Sequence, residues 1–240
     1  MAPFLLNPIE SVMEKTNSVS LDGLVSVCHS FLRHDDGGIE ADFTLSTAIA
    51  NPEATAAMPI KDRIKEFMHH RIKVVAAAGA EAEALTDLAE SCRRGDSEVR
   101  IYKAKGTLID FGDESVVLCS WNDFQKSKVM TLSNNNDAVI AGTIVSISHS
   151  DAYATVKLDT GVSTVMTHFS KATFGVAWDS IDSGKLRKGD MLWMKGPLLS
   201  QNYTDGVRTV RRAVLTPHQM KQIKLKQDVT TKKKKSRGVD

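Results

Sequence analysis

Lys185–Pro217 reads KLRKGDMLWMKGPLLSQNYTDGVRTVRRAVLTP. A Gly-Asp turn leads into an apolar run, Gly196 interrupts it, a polar loop follows, and a run carrying Arg208, Arg211 and Arg212 returns. Strand alternation sends Leu192 and Met194 to one side and Met191, Trp193 and Lys195 to the other. The stretch offers no nucleophile, acid–base pair or metal cluster. Its pattern is that of the closing hairpin of a small barrel.

Upstream, a period of two continues. β-branched and aromatic runs at Val139–Ser148, Tyr153–Asp159 and Val162–Phe169 precede a predicted helix around Ala172–Gly184, and strands at Met191–Leu199 and Val207–Leu215 complete the set. Five strands with a helix between the third and fourth is the order of the OB-fold, so residues 137–217 are expected to form an OB-like five-stranded barrel. Residues 98–136, with GTLIDF, SVVLCSW and KVMTL, are expected to form a β-meander. A shift of 36 residues lays Gly106–Thr131 on Gly142–Thr167 with seven identities, which predicts two related three-stranded units with Gly106 and Gly142 at equivalent bends.

Residues 1–97 have a different rhythm. Apolar positions between Ser20 and Arg33, and again from Ile60 to Val75 after Pro59, recur at near-helical spacing, and Ala80–Arg94 is rich in Ala, Glu and Leu before Gly95. The expected class is α+β: a helical N-terminal region (1–97), a meander (98–136), the OB-like barrel (137–217) and a basic flexible tail (218–240). From Met220 onward eight Lys or Arg face two Asp, a balance of +6 that leaves −4 for the rest of a chain whose total is +2. A tail of this composition can reach a polyanion, carry a localisation signal or simply solubilise.

Several classes are set aside. MAPFLLNPIE lacks a basic region before its apolar patch, and Val74–Ala80 is too short to cross a bilayer, so a cytoplasmic protein is expected, with nucleus or nucleoid as other locations, and no membrane partner. Cys28, Cys92 and Cys119 are widely spaced and read as reduced thiols. No histidine or cysteine stands at zinc spacing, so no metal and no cofactor are expected. P-loop, GxGxxG, HExxH and GxSxG patterns are absent, and no catalytic residue is assigned.

GDMLWMKGPL, with the strand order above, resembles the OB domains of single-strand-binding proteins, as in replication protein A and bacterial single-stranded DNA-binding proteins, over about residues 137–217. The resemblance implies a groove across the second and third strands, edged by the loops His149–Ala152 and Ser200–Gly206. A single-strand binder needs cations along the backbone path and flat π-faces for bases. Tyr153, Thr155 and Lys157 fall on one face if Ala154, Val156 and Leu158 fill the interior, with Thr164 and His168 beside them. Tyr203 adds a loop aromatic, Arg208, Arg211 and Arg212 add charge, Trp193 and Lys195 point outward, and Lys232, Lys233, Lys234 and Lys235 extend from the tail. Trp193 reads first as a packing residue against the meander or the N-terminal helices and only second as a stacking one, and the three arginines read also as a solvated face paired with Asp205 or Asp190. With aromatics at 6% of the chain, affinity is expected to lean on phosphates and to fall with salt. The expected function is non-enzymatic binding of single-stranded DNA or RNA. The alternative is a protein-interaction or assembly module, with a protein partner or a second copy.

Overall fold

Inward side chains at every second position, Val19, Leu21 and Val25, build a strand where the spacing of Ser20–Arg33 predicts a helix. The computed structural model describes residues 15–50, 58, 64–96, 100–112, 114–127, 135–205 and 208–223, with backbone alone for 50, 64, 202–205 and 208–211. The elements run β1 (Thr16–Arg33), β2 (Ile39–Ala50), β3 (Ile64–Ala76), α1 (Ala80–Arg94), β4 (Ile101–Asp110), β5 (Ser115–Ser120), β6 (Phe124–Lys126), β7 (Asn136–His149), β8 (Tyr153–Asp159), β9 (Thr164–Ser170), α2 (Gly175–Asp182), β10 (Met191–Gly196), β11 (Leu198–Asp205), β12 (Arg208–Leu215) and β13 (Gln219–Ile223).

This corrects the expected class. There is no helical N-terminal region: of the three helices predicted there, only α1 forms, and the described chain is mostly β. Two irregularities in the β1–β2 register, between Val25 and Val27 and between Cys28 and Ser30, shift the parity of β1 and imitate helical spacing. In β3 the buried set is His70, Ile72, Val74 and Ala76, a period of two that the apolar residues alone conceal. The α1 segment keeps its helix because Glu81 and Glu83 lie in its first turn and Arg93 and Arg94 in its last, and Gly95 closes it in the left-handed conformation.

A free-standing barrel behind a separate meander is not found either. The thirteen strands of the described residues belong to one sheet, in which two similar circuits of paired strands are joined. In the first, β1–β2 and β2–β3 pair antiparallel, β3–β5 parallel, and β5–β4 and β4–β1 antiparallel. The second repeats this with β7, β8 and β9, a parallel β9–β12 pair, an antiparallel β12–β11 pair, and β10 returning to β7. Here the fourth strand is divided at Gly196–Pro197, and proline has no N–H to continue the ladder. β6 flanks β4, and β13 flanks β10. An antiparallel seam between β1 and β7, Thr16↔Ala141 through Leu21↔Asn136, joins the two rings.

The 36-residue offset therefore does not relate equivalent elements. Gly106 lies in the fourth strand of the first ring and Gly142 in the first strand of the second. In Gly106–Thr131 the central strand is β4, between β5 and β6, whereas in Gly142–Thr167 it is β8, between β7 and β9. The counterpart of Gly142 is Gly23: a Cβ on either would lie 2.5 Å (Gly142) or 2.6 Å (Gly23) from a carbonyl of the second strand. The counterpart of Gly106 is Gly196, where a Cβ would lie 2.2 Å from Leu118 O and Thr216 O respectively. Asn17 and Asn136 match as well. Each side-chain amide both donates to and accepts from the backbone of a leucine two residues beyond the fourth-strand glycine: Leu108 at 2.8 and 3.0 Å, Leu198 at 2.8 and 2.9 Å.

The interiors of both rings join in one core, with Leu21, Phe43, Ile72 and Phe124 in the first and Ile140, Val156, Leu192 and Leu215 in the second. The helix α1 buries Leu85, Leu88 and Ala89 in this core, and α2 buries Ala177, Trp178 and Ile181. No helix among the described residues is long and apolar enough to cross a membrane.

Candidate nucleic-acid interface

Strand β8 alternates strictly. Ala154, Val156 and Leu158 are fully buried, which turns Tyr153, Thr155 and Lys157 outward. Strand β9 buries Val165, Thr167 and Phe169, and Thr167 donates to Val156 O at 2.9 Å, leaving Met166 and His168 on the outer face. The register places Tyr153 opposite Ser170, Thr155 opposite His168 and Lys157 opposite Met166, and β7 extends two of these rows with Ser148 and Ser146.

Three of the residues selected from sequence thus share one surface. The Tyr153 ring is 52% exposed and stacks on His168, with centroids 5.1 Å apart and planes 17° from parallel. His168 Nδ1 is 3.2 Å from Thr155 Oγ1, which holds the ring upright on the sheet. Lys157 makes no ion pair among the described residues, and its cross-strand neighbours are Ser146 and Met166. At the rim, Lys171 N donates to Ala152 O, which ties the β7–β8 loop to the end of β9, while its ammonium lies 5.6 Å above the Trp178 ring.

Others lie elsewhere. Trp193 and Lys195 point outward on β10, across β7 from β8. Trp193 packs on Ala141, Met191 and Ile223 beneath the Lys221 ammonium, and Lys195 is held by Asp137 at 2.9 Å. Arg212 reaches the first ring, donating to Gly112 O at 2.9 Å and lying 3.8 Å from Asp110. The side chains of Tyr203, Arg208 and Arg211, and all of Lys232–Lys235, lie outside the described residues.

A second outer face, on β2 and β3, was hidden by the helical reading of Ile60–Val75. Its cross-strand rows are Glu40–Val75, Asp42–Lys73, Thr44–Arg71, Ser46–His69 and Ala48–Phe67. Phe67 is 40% exposed, and Phe111, in the turn after β4, is 59% exposed with the Lys73 ammonium 5.8 Å from its ring. Lys73 is bonded to Glu40, whose carboxylate holds the ammonium above its ordinary range. Arg71 lies 3.5 Å from Asp42 and 3.4 Å from Glu114. The signal that would have found this face is the alternation of His69, Arg71 and Lys73 with His70, Ile72 and Val74.

No family model and no curated protein matches the sequence. Among solved structures, the single-stranded DNA-binding protein from Thermus aquaticus matches with a TM-score of 0.59 over 89% of this chain and 95% of its own, at 15% identity. The fold resembles that of a single-stranded DNA-binding protein. A deletion mutant of the same Thermus aquaticus protein matches with a TM-score of 0.57, over 88% of this chain and 96% of its own, at 14% identity. The OB-fold resemblance drawn from residues 137–217 therefore extends over most of the chain, and the first ring falls within it.

Proposed function

We propose that the chain binds single-stranded nucleic acid, DNA in the first place, across the outer face of β8 and β9, without catalysis. The observation that carries this is the exposed Tyr153 ring stacked on His168, on the same strand face as Lys157, which lies four residues along β8 and has no carboxylate partner among the described residues. A π-face and an uncompensated cation on one strand face suit a base and a phosphate farther along the same single strand, and each stacked base is worth about 1–3 kcal/mol. Lys171 at the loop rim, the arginines of β12 and the basic tail add charge along the same half of the chain. RNA presents the same π-faces and phosphates and belongs to the same proposal.

A second function, assembly with another copy or a protein partner, is favoured by the small apolar cluster of Met191, Trp193, Ala141 and Ile223 on the outer side of β10, β7 and β13. Fluorescence anisotropy with DNA and RNA oligonucleotides of one sequence, at two salt concentrations, separates the two. The wild-type chain is expected to bind with an affinity that falls with salt, and Tyr153→Ala combined with Lys157→Gln to weaken binding about ten-fold or more. Undiminished binding by that variant would remove the β8–β9 face from the site. Altered sedimentation of a Trp193→Ala variant with unchanged oligonucleotide affinity would assign the β10 cluster to assembly.

A further inference from the structure

We infer that the two rings are unequal toward a single strand: the β8–β9 face takes its phosphates, whereas Glu40 and Asp42 neutralise the corresponding β2–β3 face and keep the strand's backbone off it. This rests on the single-strand function proposed above and deepens it. By strand order β2–β3 corresponds to β8–β9, and the first face has the residue types that a binding surface needs: exposed Phe67 and Phe111 beside Arg71 and Lys73. Each of those cations is already engaged. Lys73 bonds Glu40 and stands opposite Asp42 in the register, and Arg71 bridges Asp42 and Glu114. Ser30 donates to Asp42 at 2.7 Å, which fixes the carboxylate on the face. A phosphate approaching either cation must displace a carboxylate or sit beside one, and like charges at such range repel strongly.

On the second face no carboxylate among the described residues pairs with Lys157. The rows Ser146–Lys157–Met166 and Ser148–Thr155–His168 are free of acidic residues, and Asp159, at the end of β8, is held by Lys15 at 2.7 Å. The same contrast extends over each half. Residues 15–127 carry 13 Lys or Arg against 18 Asp or Glu, a balance of −5, while residues 135–223 carry 10 against 7, a balance of +3. Binding driven by counterion release is favoured where the net charge is positive, which is the second half.

The test uses the full chain and a fluorescent oligothymidylate of about 10 nucleotides, short enough to occupy one OB face. The wild-type chain is expected to bind one oligonucleotide per chain. Tyr153→Ala with Lys157→Gln is expected to weaken that binding about ten-fold or more, and Phe67→Ala with Phe111→Ala to change it less than about two-fold. Glu40→Gln with Asp42→Asn, which keeps side-chain volume, is expected to raise the stoichiometry toward two and to steepen the salt dependence. Photo-crosslinking of the wild-type chain, with peptides mapped by mass spectrometry, is expected to label β8–β9 and not β2–β3, and it requires no variant to fold. Two oligonucleotides bound per wild-type chain, equal losses in the two aromatic sets, or crosslinks on β2–β3 would overturn the inequality and leave the binding function standing. No binding by the wild-type chain at low salt would overturn the binding function and this inference with it.

Discussion

At Cys119 the packing of one residue decides its chemistry. The thiol is buried between β5 and β3, 3.7 Å from Lys73 O, and desolvation pushes its pKa up to about 12. A thiol ionises less readily in the folded chain than in the unfolded one, so this group takes stability away only as pH rises from about 9 toward 12 and has no effect below that window. Since the thiolate is the nucleophile, iodoacetamide at pH 8.5 is expected to label Cys119 only in denaturant. Mass spectrometry of the alkylated chain checks this, and rapid labelling of the folded protein would mean that β5 opens. Of the surface residues, those of β8 were legible in the sequence because a regular strand turns alternate side chains outward: Tyr153 and Lys157 could be placed without the structure. Trp193 could not, because an outward position says nothing about whether Ile223 and Met191 will close over it.

Among the elements, the fourth strand of each ring does the most demanding work, since it pairs with the first strand along one half and with the fifth along the other. In the first ring, Val19–Leu24 meet Ile101–Gly106, and Ser115–Leu118 meet Thr107–Asp110. Gly106 stands where the partner changes, and Gly196 holds the same place in the second ring. With a carbonyl 2.2 Å from any Cβ at either site, Gly106→Ala and Gly196→Ala are each expected to destabilise the protein by about 1–3 kcal/mol. Gly175→Ala, at the start of α2 with open space around the new methyl, is expected to be neutral or slightly stabilising. Urea unfolding of the three variants gives the comparison, and equal midpoints would mean that the bends relax without loss. The elements of the second ring are legible in the sequence because β8, β9 and β10 are short strands and turn residues bound them, although β7 is 14 residues long and irregular between Ile144 and Ser146. In the first ring, β1 and β3 were read as helices because the bulges of β1 break its alternation, and because the outward face of β3 includes Phe67 and Val75, so that hydrophobicity alone does not mark the inside.

On the scale of the whole molecule, charge is graded along the chain, and residues 224–240 add seven Lys or Arg against two Asp to the more basic second half. Removing Thr230–Asp240 takes away five of those cations and Asp240 but no described strand, so the fold is expected to stay intact while oligonucleotide affinity drops and its salt slope flattens. Anisotropy across a salt series checks this, and an unchanged slope would assign the segment to solubility or localisation. The tandem architecture is present in the sequence, but not at a spacing of 36 residues. Asn17 and Gly23 recur as Asn136 and Gly142, an offset of 119, whereas Gly106 and Leu108 recur as Gly196 and Leu198, an offset of 90, so no single shift aligns the halves. The seam between β1 and β7 is symmetric. Under the 119-residue correspondence the pair Asn17↔Ile140 maps onto Leu21↔Asn136, and Val19↔Ala138 maps onto itself, so a local two-fold axis passes through that central pair. Two separate identical chains meeting about such an axis would have to present the same face twice, and any substitution that suited one copy would be imposed on the other. One polypeptide that carries both copies is released from that symmetry, so an acidic pair can settle on one face while its counterpart keeps a bare lysine.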